Sequence, residues 1–270
     1  AYQRGRLTAA VDGEWAYYAI GALNALQVDS SENWIWRILA EELARLGLET
    51  EVRALPVPLG ARPFPILGDT KEAATIAVSL ANQKQQITGV PVYSLNRESL
   101  QALGLALAAA GDFENARPLL EKMWELSGNR VTIDGPFRMD HAPALTVIRR
   151  QADEQNATDE LIAAMNDDVR RRQIAGFIGS RFPTIYQEGL TAYLDGQRKL
   201  GLEMIAQGVE RGMYILPNEA YLSELYEDPG FEPIRKTQEE RQARERDRFL
   251  AIACKENPWA EFWQPREETC

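Results

Sequence analysis

Histidine and cysteine are almost missing from this 270-residue chain, which holds one histidine, His141, and two cysteines, Cys254 and Cys270. A zinc site made from these residue types needs three or four ligands, so no such set is expected, and no metal or cofactor. A Ser-His-Asp arrangement would rest on His141 alone. Long apolar runs are missing as well; none approaches the roughly 20 residues that cross a bilayer, so direct membrane insertion is not expected. Positive charge is in deficit, with 30 Lys and Arg against 40 Asp and Glu and a net charge of -10. Such a chain is repelled by a phosphate backbone, and nucleic acid is not an expected partner. The basic stretch Arg235–Arg248 interleaves acids with bases, as on a solvated helix face. The glycine-containing run "PLGARPFPILGD" lacks the lysine of a phosphate-binding loop.

What is present is helix signal. Hydrophobic residues make up 45% and charged residues 26%, the profile of a folded chain. In "SSENWIWRILAEELARLG", Ser and Asn are cap candidates and Ile35, Ile38, Leu39, Leu43 and Leu46 follow helical spacing up to the stop at Gly47. Trp15–Leu26 supplies a preceding helix. "ALPVPLGARPFPILGD", Ala54–Asp69, has four prolines and two glycines and interrupts the helices as a linker or a packed loop. Helix resumes at Thr70, and further helices are expected over 97–110, 113–127, 142–156, 159–175, 183–195 and 197–211. A short helix, an Asp-Pro-Gly-Phe turn and a long charged helix follow. "NRVTI" is the best strand candidate, too isolated to make a sheet. The class is all-α.

The helical pairs share a spacing. Leu100, Leu103 and Leu107 surround Gly104; Gly111 falls at a turn; Ala116 and Leu120 take the small and large positions of the next helix. Ile185, Gly189, Ala192, Gly196, Gly201 and Ile205 repeat the arrangement. Small residues at a crossing let two helix backbones approach, and larger neighbours fill the flanks. This pattern resembles the tetratricopeptide repeat family over Arg97–Gly128 and Phe182–Met213, and less closely over Glu14–Gly47. It departs at Gly128 and Met213, where the family usually has proline, and at Glu188, where a large apolar residue is usual. The C-terminal third, with "LYEDPGF" at Leu225–Phe231, is similar to the repeat regions that trail winged-helix, adenylate-cyclase-type and TolB-like bacterial signalling proteins.

The resemblance implies a helical-hairpin solenoid with a capping helix and an irregular tail, whose first helices line a groove for a protein or peptide. It places Glu98, Gln101, Tyr186 and Tyr193 in that groove, with Trp15 and Tyr18 at the corresponding positions of the first hairpin. The expected organisation is a helical hairpin over 1–54, a proline-rich linker or loop over 55–69, repeats with a capping helix over 70–248 and a tail over 249–270. Cys254 and Cys270 bracket "KENPWAEFWQPREET". In an oxidising compartment they would close a loop of about 15 residues, worth roughly 3 kcal/mol in the chain-entropy treatment. A periplasmic location goes with that pairing, and a cytoplasmic one with two free thiols. The opening at Ala1, without an initiator methionine or signal pattern, fits a processed protein or part of a longer one.

The expected function is therefore a non-catalytic binding scaffold, the sensor or regulatory region of a larger bacterial signalling protein. A helical enzyme with a carboxylate site around His141 is the alternative, although Asp140 equally suits the N-cap of the next helix. A structural homo-oligomer is the third reading, motivated by Trp259, Phe262 and Trp263 as an exposed cluster.

Overall fold

A computed structural model describes residues 14–57, 64–88, 97–132, 135–174, 184–255, 257–266 and 268–270. All regular structure among the described residues is helical. The chain divides into two compact units.

The first unit gathers the residues up to Leu67 with Val209–Ile215 and Arg235–Cys270. It contains α1 (Trp15–Val28), α2 (Asn33–Arg45) and α3 (Glu49–Ala54). Helix α1 is apolar around most of its circumference and buries Trp15, Ala16, Tyr18, Ala19, Ala22, Leu23 and Leu26. Helix α2 is one-sided, burying Ile35, Trp36, Leu39 and Leu43. It stops where the sequence expects: Gly47 has φ +73°, and the Gly47 and Leu48 amides donate to the Ala44 and Leu43 carbonyls, the Schellman pattern. Its N-cap is Glu32, with no side-chain cap bond, so the expected Ser and Asn caps are not used. Helix α3 had no sequence signal.

The proline-rich stretch is packed at its described ends, where Leu55, Val57, Phe64 and Ile66 are buried; residues 58–63 lie outside the described residues. The hairpin of 1–54 and the tail of 249–270, separated in sequence, share this unit.

The second unit comprises Gly68–Gly208 and Leu216–Ile234. Its helices are α4 (Thr70–Thr88), α5 (Arg97–Ala109), α6 (Phe113–Leu126), α7 (Ala142–Gln151), α8 (Gln155–Ile174), α9 (Thr184–Leu194) and most of α10 (Arg198–Glu210). A 3-10 turn (Ala220–Leu222), α11 (Ser223–Glu227) and a second 3-10 turn (Pro229–Phe231) follow, leading into α12 (Glu232–Ala253). Each helix from α4 to α8 packs on the next in sequence, α8 packs on α9, and α5 and α9 both touch α7.

Two turns of this unit are built alike. Gly111 (φ +84°) and Gly196 (φ +85°) sit in the left-handed region that side chains disfavour. At each, the glycine amide and the next one reach back to the carbonyls of the preceding helix. The α7–α8 turn has the same backbone pattern with Asp153 (φ +56°) in the glycine's place. The continuous helix expected over 142–156 therefore ends at Gln151. Val131 and Thr132, the described part of the strand candidate apart from its first two residues, have no strand structure.

Buried ionic side chains tie the layers together. The Arg149 guanidinium donates to both Glu121 carboxylate oxygens at 3.0 and 2.7 Å and to the Ala157 carbonyl at 2.8 Å. Arg172 donates to Asp168 at 2.6 Å and to Gln187 at 3.0 Å, joining α8 to α9.

The tail aromatics correct the premise of the oligomer reading, that they are exposed. Trp259 and Trp263 are buried, not exposed. The Trp259 indole donates to Asn24 at 3.2 Å, Trp263 lies 5.9 Å from Phe249, and Phe262 stands edge-on to Trp36 at 6.3 Å. Their apolar area is spent inside the first unit, which removes the motive for a second copy. Cys254 and Cys270 lie at disulfide distance, S–S 2.08 Å with Cα atoms 5.7 Å apart.

Candidate interaction site

The residues placed in a groove by the sequence fall in both units. In the first, Trp15 and Tyr18 are buried. The Trp15 indole donates to the Gly212 carbonyl at 3.1 Å, and its ring stands edge-on to Tyr214 at 5.4 Å with the Arg241 guanidinium 5.9 Å above it. Trp15 thus packs within the first unit.

In the second unit, α5 carries Gln101, α9 carries the tyrosines, and His141 stands at the N-cap of α7. The Glu98 side chain lies outside the described residues. Gln101 is buried and donates to the Gly135 and Pro136 carbonyls at 3.2 and 2.7 Å, holding the loop before α7. Tyr186 is half-buried, and burial raises its hydroxyl pKa, helped by the nearby Glu219 and Asp140 charges. Tyr193 is buried; its hydroxyl donates to the Glu224 carbonyl at 3.0 Å and approaches Asp228 Oδ2 at 3.1 Å. Arg198 covers its ring at 5.6 Å. Burial, then the Asp228 bond, pushes this phenol up to about 12.

The chain itself therefore lies on this face. The 3-10 turn Ala220–Leu222 packs against α5 and α7, and the stretch after it reaches Tyr193 on α9. Along the segment Tyr221, Leu222, Leu225 and Phe231 point inward, while Asn218, Ser223, Glu224, Glu227, Pro229 and Gly230 are exposed. The segment is also internally braced: the Tyr226 hydroxyl donates to the Leu216 carbonyl at 2.6 Å, and Asp228 Oδ1 accepts from the Gly230 amide at 2.8 Å.

Glu219 enters the face with this segment. It is buried, and burial raises its carboxyl from the ordinary 4.5 to about 7, against a lowering bond from Tyr221 and with a further raise from Asp140. Sequence reasoning singled out the Asp-Pro-Gly-Phe turn, which begins at Asp228, but missed Glu219 and Tyr221. No local spacing marks a residue that meets partners more than 30 positions away.

His141 is 1% exposed. Its Nδ1 accepts from the Arg138 amide at 3.2 Å and its ring lies 5.8 Å from Phe137. Burial lowers its pKa to about 4. The enclosed, neutral ring fits a structural place at the start of α7. His141 is itself the N-cap, without a side-chain cap bond, and Asp140 pairs instead with Arg138 at 3.3 Å. Among the described residues no group of three or more His, Cys, Asp or Glu is placed to hold a metal ion, and no helix is long and apolar enough to cross a membrane.

The face of α5, α7 and α9 can hold a turn of polypeptide by its main chain and by aromatic and leucine side chains. Compared with protein-family models, curated proteins and solved structures, the chain matches none.

Proposed function

We propose that this chain is a non-catalytic, tetratricopeptide-like scaffold that binds a protein or peptide segment, as the sensor or regulatory region of a larger bacterial signalling protein. The observation that carries the reading is the Tyr193 hydroxyl holding the Glu224 main-chain carbonyl at 3.0 Å. A side chain that grips a carbonyl recognises polypeptide whatever its sequence, and neighbouring pockets then select side chains. The packing order supports a repeat: α5 touches α6 and α7, and α7 touches α8 and α9, as stacked helical pairs do. The Cys254–Cys270 pair at bonding distance favours an oxidising compartment such as the periplasm.

Probing an immobilised peptide array with the purified chain and with a Tyr221→Ala/Leu225→Ala variant, whose own segment no longer fills the face, tests the reading. Peptides are expected to bind at least the variant, with micromolar or tighter affinity, on the order of 8 kcal/mol. An array with no binders to either chain would defeat it.

A further inference from the structure

The face of α5, α7 and α9 is covered by a piece of the chain with the features of a bound peptide. Ala220 lies so close to the α5–α6 turn that a Cβ at Gly111 would stand 3.3 Å from its own Cβ. Tyr221 and Leu222, then Leu225, turn inward, and Tyr193 holds the main chain between Leu222 and Leu225, at the Glu224 carbonyl. The outer surface is wet and acidic, with Glu224 and Glu227 exposed and Glu224 3.6 Å from Arg198. The entry to the segment is a turn at Asn218, φ +61°.

We propose that Asn218–Asp228 is a displaceable strap that occupies in cis the peptide-binding face of α5, α7 and α9, and that the external partner is an acidic peptide of the same pattern, Tyr-Leu followed three residues later by Leu-Tyr. The inference rests on the peptide-scaffold reading and adds to it the chemistry of the partner and a closed state.

The strap has a built-in weak point. Glu219 is 5% exposed, and the groups that face it are Tyr221 in the strap, Tyr186 on α9 and Asp140 in the turn before α7. Two are phenols and the third is another carboxylate. Seating the strap is therefore easiest with Glu219 protonated, and each proton lost near neutrality favours the open state. With a carboxyl near 7 when seated and 4.5 when free, raising the pH from 6 to 8 should multiply the open population by about tenfold.

Native-state hydrogen exchange on the full chain, corrected for intrinsic rates, tests this without any partner. Amides of Ala220–Tyr226 are expected to exchange by local opening at least about tenfold faster than those of α5 and α7. That opening should rise about tenfold between pH 6 and pH 8 in the native chain and stay flat in Glu219→Gln. Protection of the strap equal to that of α5 and α7 at both pH values would overturn the proposal, making the segment core, while leaving the array experiment to decide the scaffold reading.

The occupant is tested with a labelled synthetic peptide, EAYLSELYED, followed by fluorescence anisotropy. It should bind a Tyr221→Ala/Leu225→Ala chain, whose strap is detached, at least about tenfold more tightly than the native chain. Absence of binding to that variant, with α5–α8 still protected from exchange, would overturn the strap and the peptide face together. If the double variant loses that protection, the exchange result on the native chain and on Glu219→Gln decides.

Discussion

Gly189 and Gly201 bring α9 and α10 into backbone contact: a Cβ placed on Gly189 would stand 2.8 Å from the Gly201 carbonyl oxygen and 2.8 Å from the Ile205 amide nitrogen. Neither atom can move without moving a helix. Gly189→Ala should therefore destabilise by about 1–3 kcal/mol, the usual cost of overpacking. Gly104 is the informative contrast. A Cβ there meets the Leu119 and Leu120 side chains at an ordinary 3.4 Å. Gly104→Ala should be neutral or stabilising by up to about 1 kcal/mol through helix propensity. Urea unfolding midpoints of the two variants check both; equal shifts would mean that the crossing of α9 and α10 is looser than described.

The Asp168–Arg172 pair gives a different kind of expectation. Both groups are buried, and burial dominates in raising the Asp168 carboxyl although Arg172 and Arg171 oppose it. Asp168→Ala would leave the Arg172 charge facing Gln187 alone among its present partners. The expected loss is about 3–5 kcal/mol. The Asp168→Ala/Arg172→Ala double variant should lose at least about 1 kcal/mol less than the two single losses added. Strict additivity in a double-mutant cycle would show that the pair contributes no coupling.

The helices were legible because their signals are local. The apolar stripe of α6, with Ala116, Leu119, Leu120 and Met123, appears both in the spacing and among the buried residues. The turns at Gly47, Gly111 and Gly196 were legible because glycine marks the left-handed residue. The α7–α8 turn was not, because Asp153 adopts that conformation and aspartate carries no comparable signal. Among the groove residues, position on a helix was readable but burial was not. Tyr193 and Gln101 are covered by segments 31 and 34 positions away, at Glu224 and Gly135. The tail aromatics were misread for the same reason: Trp259 meets Asn24 across 235 residues of sequence.

Two buried titratable groups predict how stability varies with pH. His141 sits near 4 when folded against an ordinary 6.5, so the unfolded chain takes up its proton first as the pH falls. Stability from this group is full above about 6.5 and drains away down to about 4, by up to about 3 kcal/mol. Glu219 acts in the other direction. Raised from 4.5 to about 7, it favours the folded state fully below about 4.5, and that contribution is lost as the pH rises through 7. The native chain should therefore be most stable at mildly acidic pH. His141→Gln should flatten the acid limb and Glu219→Gln the limb between 5 and 7.5. Chemical unfolding across pH 4–8 measures both, and an unchanged limb in either variant refutes that assignment.

The tail is fastened twice, which makes the disulfide testable by its partner contact. Glu51, 2% exposed, accepts from the Arg266 amide at 2.9 Å and from the Thr269 hydroxyl at 2.8 Å. Reduction of Cys254–Cys270 removes the constraint on the unfolded chain and should cost roughly 3 kcal/mol. It should leave Trp259 and Trp263 in place, because Glu51, Asn24 and Phe249 still hold the segment. Glu51→Ala removes the shared acceptor of two part-buried donors and should cost about 1 kcal/mol with the disulfide intact. Only reduction combined with Glu51→Ala should free the tail and shift tryptophan emission to the red. A red shift on reduction alone would mean that the disulfide, and not the carboxylate, seats the tail.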